Sequence, residues 1–260
     1  MENKPILECV VITTTSQEIS TGKLNLLIDV LCEEPRNSLD LIIFVNNNFY
    51  DKLKINRIFS SNFNKVTIVN LNIHPSDDIY VRQITKKVEY VPKYGLINGP
   101  NTMFFEIIKY CKHYDTIILL EYDCIVEKYF TLKCKDYVNS NPPFLISGSK
   151  YLGGVSLDKK INDHLNGVAF YRTGSQELQD IIEDFRIFLI YKVKHTLLNY
   201  IAYDVGLCDF IKKNYQYLID NELYRTTDLI VNYSLESDKF TPINSIRIKH
   251  PNCAIIHKKL

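Results

Sequence analysis

The sequence has no tryptophan and only two methionines, and none of its apolar stretches approaches the roughly 18 residues of a membrane span. Met1-Glu2-Asn3-Lys4-Pro5 carries none of the apolar run that opens a signal peptide, so neither a membrane span nor secretion is expected. An excess of one charge is missing as well: 31 Lys and Arg stand against 30 Asp and Glu, leaving +1. Without a global basic field the chain lacks the electrostatic footprint of nucleic-acid binding, and any such contact is left to a local patch. The seven cysteines are odd in number and form no CxxC pair. Cys111, Cys124, Cys134 and Cys208 fall within regular-looking segments, which fits reduced core thiols better than a disulfide framework or a zinc site, and a cytoplasmic compartment is the expectation. Internal repeats, low-complexity tracts and flexible linkers are absent too. One domain spanning residues 1–260 is the simplest layout.

What is present is ordinary for a globular protein: 46% hydrophobic and 23% charged residues. The 18 tyrosines and the abundance of Ile, Asn and Lys look like the bias of an AT-rich genome, a large DNA virus among the candidates, for which the cytoplasm would be the host's.

The stretch that organises the chain is Thr116 to Cys124, TIILLEYDC. Thr116 to Leu120 is uninterrupted apolar or β-branched sequence, as in a strand buried on both faces. Glu121 and Asp123 follow. Side chains two apart on a strand point the same way, so both carboxylates are expected to face one ligand. In open α/β sheets ligands collect beyond the carboxyl ends of the strands, the place for a divalent cation and the phosphates it neutralises. The competing reading is a chain that simply turns polar as it leaves the core.

Other strands are expected at Leu7–Thr14, Leu39–Asn46 and Val66–Ile73, alternating with helices at Gly22–Cys32 and Asp51–Phe59. That alternation predicts an α/β fold, a mostly parallel central sheet with helices on both faces. Thr13 to Ser16 either contact a nucleotide through hydroxyls and backbone N–H groups or cap the helix over Leu24–Leu31. Pro75–Pro92 reads as a loop or short helices. Lys93 to Asn101, KYGLINGPN, is turn punctuation, with Asn101 as N-cap of a helix through Phe104, Ile107, Ile108 and Cys111. Beyond Pro142-Pro143 come a short strand at Phe144–Ser147, a glycine pair at Gly153-Gly154, and DHLNGVAFYRTG, in which VAFY is a strand. Gly167 there marks either a close backbone approach or a β-bulge. An amphipathic helix is expected over Ser175–Lys192, and another begins at Tyr203-Asp204, where Asp204 is either an N-cap or a carboxylate at a reaction centre. Strands at Leu229–Tyr233 and Ala254–His257 close the chain. His257 at a strand end is a candidate third metal ligand, with Lys258 and Lys259 beside it.

The order of these features resembles nucleotide-sugar glycosyltransferases of the GT-A fold, and more loosely their glycogenin-like branch. The resemblance rests on the threonine-ended first strand, Gly99 to Asn101 at a helix entry, TIILLEYDC as an ExD variant of a DxD motif, HLNGVAFY, Tyr203-Asp204 and the terminal His257. It implies a nucleotide-binding half (1–124) and an acceptor half (125–260). It implies nucleotide contacts at Thr13, Thr14, Thr15, Asn46, Tyr94, Asn101, Glu121 and Lys258, and donor-sugar or acceptor contacts at His164, Asn166 and Gly167. Mn²⁺ or Mg²⁺ would be held by Asp123, His257 and Glu121, with Glu121 free to take the ribose instead. Asp204 would act as base or as a group orienting a hydroxyl. The implied reaction moves a sugar from a nucleoside-diphosphate sugar, UDP-linked in the first instance, to a hydroxyl of a glycan, protein or small molecule. Two other classes use similar features: a nucleotidyltransferase, which needs a Gly-rich basic phosphate loop that Gly22-Lys23 matches poorly, and a non-catalytic glycan-binding or assembly module.

Overall fold

The computed structural model describes residues 4–46, 62–80, 91–152, 164–195, 201–234 and 238–258. The expected helix at Asp51–Phe59, Gly153-Gly154, Lys259 and much of Pro75–Pro92 lie outside them. The strands are β1 Leu7–Thr15, β2 Asp40–Asn46, β3 Lys65–Asn70, β4 Thr116–Glu121, β5 Cys124–Val126, β6 Ile146–Lys150, β7 Leu165–Tyr171, β8 Tyr224–Thr226, β9 Ile230–Tyr233 and β10 Ile255–Lys258. The helices are α1 Ser16–Ser20, α2 Asn25–Cys32, α3 Asn98–Tyr110, α4 Phe130–Ser140, α5 Gln176–His195, α6 Tyr203–Asn214, α7 Tyr217–Asp220 and α8 Ile243–Lys249.

Seven strands form one sheet in the order β3-β2-β1-β4-β7-β6-β8. β1 to β4 run parallel, β7 is antiparallel to both its neighbours, and β8 is parallel to β6. This is the mostly parallel sheet expected. Its central strands are apolar on both sides because both sides are covered. Val10, Ile12, Ile118 and Leu120 pack toward α2 and α4 through Leu27, Leu31, Phe130, Cys134 and Val138. Their alternates Val11, Ile117 and Leu119 pack toward α3, α5 and α6 through Phe104, Ile107, Ile181, Phe185 and Phe210. Strand periodicity thus splits one continuous apolar run between two cores.

β5, β10 and β9 make a second, three-stranded sheet, with β10 antiparallel to β5 and parallel to β9. The chain changes sheet across Tyr122-Asp123, the two residues between β4 and β5. Register places the strand ends of the large sheet side by side, Thr15 opposite Asn46 and Thr13 opposite Glu121.

Two expectations about helix entries are corrected. The threonine run caps not the helix over Leu24–Leu31 but the separate, five-residue α1: Glu18 N–H donates to Thr15 Oγ1 (3.2 Å) and Thr15 N–H donates to Glu18 Oε2 (2.7 Å), a reciprocal capping box. Asn101 is not an N-cap. α3 starts three residues earlier, because Pro100 sits in its first turn, where a missing N–H costs no helical bond. Asn101 is instead fully buried, its Nδ2 donating to the carbonyls of Tyr94 (3.1 Å) and Ile201 (2.9 Å). It therefore ties the approach to α3 to the approach to α6. Asn101→Leu, similar in volume, leaves both carbonyls without that donor and is expected to cost roughly 2–4 kcal/mol in urea unfolding; an unchanged midpoint would remove Asn101 from this structural role.

Candidate active site

Two constellations lie at the carboxyl-terminal edge of β4 and around β7. In the first, β4 delivers Glu121, the sheet-changing turn delivers Asp123, and β10 delivers His257, brought in by its pairing with Cys124 of β5. One ligand atom from each of the three falls within 4.8 Å of the others. His257 Nε2 is 3.2 Å from Asp123 Oδ1 and 3.4 Å from Glu121 Oε2. The convergence expected of Glu121 and Asp123 is present, but its cause differs: the strand ends at Glu121, and the turn rather than strand alternation aims Asp123.

Asp123 and His257 are buried, and the Glu121 side chain is 36% exposed. Burial opposes charge on His257, but Glu121 and Asp123 outweigh it and hold the imidazolium with a pKa of about 10. Asp123 Oδ1 is buried and accepts no well-directed hydrogen bond despite its closeness to the ring. Two carboxylates and an imidazole, one oxygen of them unsatisfied, make a donor set that fits a divalent cation.

The second constellation joins His164, just ahead of β7, to Asp204 in the first turn of α6, with Nε2 to Oδ2 at 3.3 Å. Ala202, not Asp204, holds the N-cap position. Burial pushes the Asp204 carboxyl up, but the His164 contact and the Val205 N–H, which donates to Oδ1 at 2.9 Å, reverse the balance and hold it below the usual carboxylate range. A helix N-terminus favours the anion further.

Two tyrosines, Tyr171 buried and Tyr203 half-buried, lie near both constellations. The phenols of Tyr171 and Tyr203 are pushed far up by burial first, and both also feel the charges of Asp204 and Glu121. Tyr203 stacks on Phe104 with centroids 4.1 Å apart, and Tyr171 Oη donates to the Gly167 carbonyl at 3.1 Å. Gly167 makes room for this arrangement, since a Cβ there would lie 1.9 Å from Tyr203 Oη. Of the two readings of Gly167, the irregular strand is the one seen. The β6–β7 pairing shifts register across Gly148/Lys150, an irregularity spanning Gly167 on β7, and the group that approaches closely is the Tyr203 phenol. Asn166 Oδ1 accepts from Val168 N–H at 3.0 Å and holds the bend. The tyrosine pair escaped sequence reasoning because tyrosine is common in this chain; the only signal was Gly167 on a strand and Tyr203 beside Asp204.

The remaining expected residues fall in three places. Thr13 Oγ1 donates to the Leu120 carbonyl at 3.3 Å, Thr14 Oγ1 lies 3.3 Å from Glu18 Oε2, and Asn46 is buried opposite Thr15, all at the edge that carries Glu121. Tyr94 packs between α3 and α5, tilted against Phe105 with centroids 4.9 Å apart, and Asn101 braces it from behind. Lys258 is buried, and its Nζ donates to the Lys239 carbonyl at 2.7 Å. Neighbours on a strand face opposite ways, so β10 turns Lys258 away from the side that His257 presents.

Neither a family model nor a curated protein matches the sequence. Solved structures match along almost its whole length. Mouse xyloside xylosyltransferase 1 in its apo form is 12% identical with a TM-score of 0.53, covering 97% of each chain. The apo form of the glycosyltransferase GlyE from Streptococcus pneumoniae TIGR4 is 14% identical with a TM-score of 0.51, and the bifunctional glycosyltransferase WbbM is 12% identical with a TM-score of 0.54. This chain is covered to 97% in both but spans only 54% of the GlyE chain and 45% of the WbbM chain. Identities this low speak to the fold, and the fold is the GT-A-like one of glycosyltransferases.

Proposed function

We propose that the protein is a glycosyltransferase that moves a sugar from a nucleoside-diphosphate sugar, a UDP-sugar in the first instance, to a hydroxyl acceptor with the help of Mn²⁺ or Mg²⁺. The observation that carries this reading is the meeting of Glu121, Asp123 and His257 at the carboxyl edge of β4, within a fold shared with glycosyltransferases. Asp123 and His257 would hold the cation, with Glu121 either completing the set or turning to the ribose. A divalent cation there supplies Lewis-acid stabilisation of the charge that develops on the leaving diphosphate.

The chain's own groups fill the other roles. Thr13, Thr14, Thr15 and Asn46 lie at the sheet edge that carries Glu121 and are assigned to the nucleotide, in keeping with a nucleotide half at residues 1–124. Asp204 and His164, with Asn166 and Gly167 on β7, are assigned to the donor sugar and acceptor in residues 125–260. Asp204 is held ionised by His164 and a backbone N–H, so it accepts a hydrogen bond from a sugar or acceptor hydroxyl far better than it removes a proton. Orientation is therefore its role in this reading. Tyr171 and Tyr203, kept neutral by burial, lie near enough to feel the charges of both Asp204 and Glu121. Lys258 is engaged by the Lys239 carbonyl and is given no part in catalysis.

Three outcomes are expected. Nucleoside diphosphate at about 100 times its dissociation constant, with Mn²⁺, should add about 2.7 kcal/mol of stability, read as a rise in melting temperature. Asp123→Ala should lose the metal-dependent part of that rise together with donor turnover; retention of both would overturn the assignment. Asp204→Asn should keep the metal-dependent rise while transfer falls about 100-fold, as for a misplaced reactant.

A fourth outcome concerns protons. In the metal-free protein His257 has a pKa of about 10 against an ordinary 6.5, so its charged contacts stabilise the fold fully below pH 6.5 and that contribution is lost as pH rises through 10. A cation has to displace this proton. Between those limits each ion bound should release close to one proton, with apparent affinity rising about tenfold per pH unit, measurable by calorimetry in buffers of different ionisation heat. Binding without proton release would exclude His257 as a ligand.

A further inference from the structure

Phe240 and Ile248 are 87% and 82% exposed, whereas no other large apolar side chain among the described residues exceeds 59%. Both belong to the segment between β9 and β10, a turn at residues 238–240 followed by α8. The segment is firmly seated. Tyr151 Oη donates to the buried Asp238 carboxylate, and Lys258 Nζ to the Lys239 carbonyl. Ile246 plugs α8 into a small core with Val231, Tyr233, Cys253 and Ile256, and Tyr233 Oη lies 3.0 Å from His250 Nε2 just past the helix. The anchored segment leaves Phe240 and Ile248 exposed, with Lys239 and Lys249 exposed beside them in sequence.

Charge is concentrated in the same stretch. Residues 238–260 hold five of the 31 basic side chains and one of the 30 acidic ones, so they carry +4 while the remainder of the chain carries −3. The single acid, Asp238, is buried against Tyr151. The near-zero overall charge thus hides a stretch of basic sequence, whose exposed charges among the described residues, Lys239 and Lys249, adjoin the two most exposed large apolar side chains.

We propose that this face docks on an anionic lipid surface, with Phe240 and Ile248 entering the headgroup boundary and Lys239 and Lys249 meeting lipid phosphates and carboxylates. Apolar tips flanked by lysines, whose stems are themselves apolar, are the chemistry of interfacial rather than spanning attachment. The lysines select a negative bilayer, whose surface potential acts within a Debye length. Because β10 carries both His257 and the lysine that anchors this turn, the surface adjoins the candidate active site along the chain.

The test is sedimentation of the full chain with phosphatidylcholine vesicles, with and without about a third phosphatidylserine, at low and physiological salt. Binding should require the anionic lipid and weaken with salt. Phe240→Ser with Ile248→Ser should reduce it about tenfold or more, and Lys239→Gln with Lys249→Gln by roughly fivefold per lysine, both with wild-type melting temperatures because these side chains project into solvent. Equal binding to neutral vesicles, no binding to either, wild-type binding by both variants, or binding to polyglutamate but not to vesicles would each overturn the proposal.

Discussion

The arrangement depends most on keeping charge balanced where two sheets meet. Glu121 and Asp123 stand at the end of a strand buried on both faces, and Asp123 is itself buried. An isolated carboxylate in such a place is costly, so a positive partner has to be supplied. β10 supplies it by pairing with β5, which sets His257 opposite Cys124 and within 3.2 Å of Asp123. The small sheet is thus a device for returning the end of the chain to the end of β4. Its three-residue strand β5 places Cys124 and Val126 in the core and sets that register. In the proposed reading a proton and a metal ion would compete for the same charge balance, with the imidazolium standing in for the cation.

A second coupling runs through packing rather than charge. β7 lies between β4 and β6, and its irregular stretch at Asn166–Gly167 opens just enough room for the Tyr203 phenol. Tyr203 begins α6, stacks on Phe104 of α3 and stands next to Asp204. Asn101 of α3 meanwhile holds the carbonyl of Ile201. The position of Asp204 is therefore set from three sides: by His164 on the strand, by the stacked ring and by the buried amide. None of these contacts touches Glu121 or Asp123.

Much of the fold was legible because β1, β2 and β4 are covered by helices on both faces, so their sequences are continuous apolar runs bounded by polar ends. Glu121 and Asp123 stood out for the same reason, as the first charges after such a run, and His257 as the end of another. The less legible parts share a physical cause as well: they are too short or too local to show a period. α1 has five residues and announces itself only by the Thr15–Glu18 pairing; β5 has three. Pro100 looked like a barrier before a helix and proved to be inside its first turn, which displaced the start of α3 and changed Asn101 from a cap to a buried brace. Lys258 adjoins His257 in sequence, but strand alternation separates them in space. The closeness of Gly167 and Tyr203 is a tertiary fact, and a glycine reveals only that something approaches, not what.

Charge distribution carries the last step. A net charge of +1 over 260 residues suggested an electrostatically plain surface, and the structure contains two strongly polarised regions that cancel in the sum. One is the acidic centre at Glu121, Asp123 and Asp204, where each carboxylate has found a histidine. The other is the basic end of the chain, where Lys258 spends its charge on a buried carbonyl to hold the turn that exposes Phe240. Adjacent residues of one strand thus serve opposite purposes on opposite faces: His257 turns inward to the carboxylates, and Lys258 secures the outward surface. An acidic centre suits a cation and the phosphates that accompany it. A basic rim with apolar tips suits a negatively charged boundary, and β10 is the element that ties the two together.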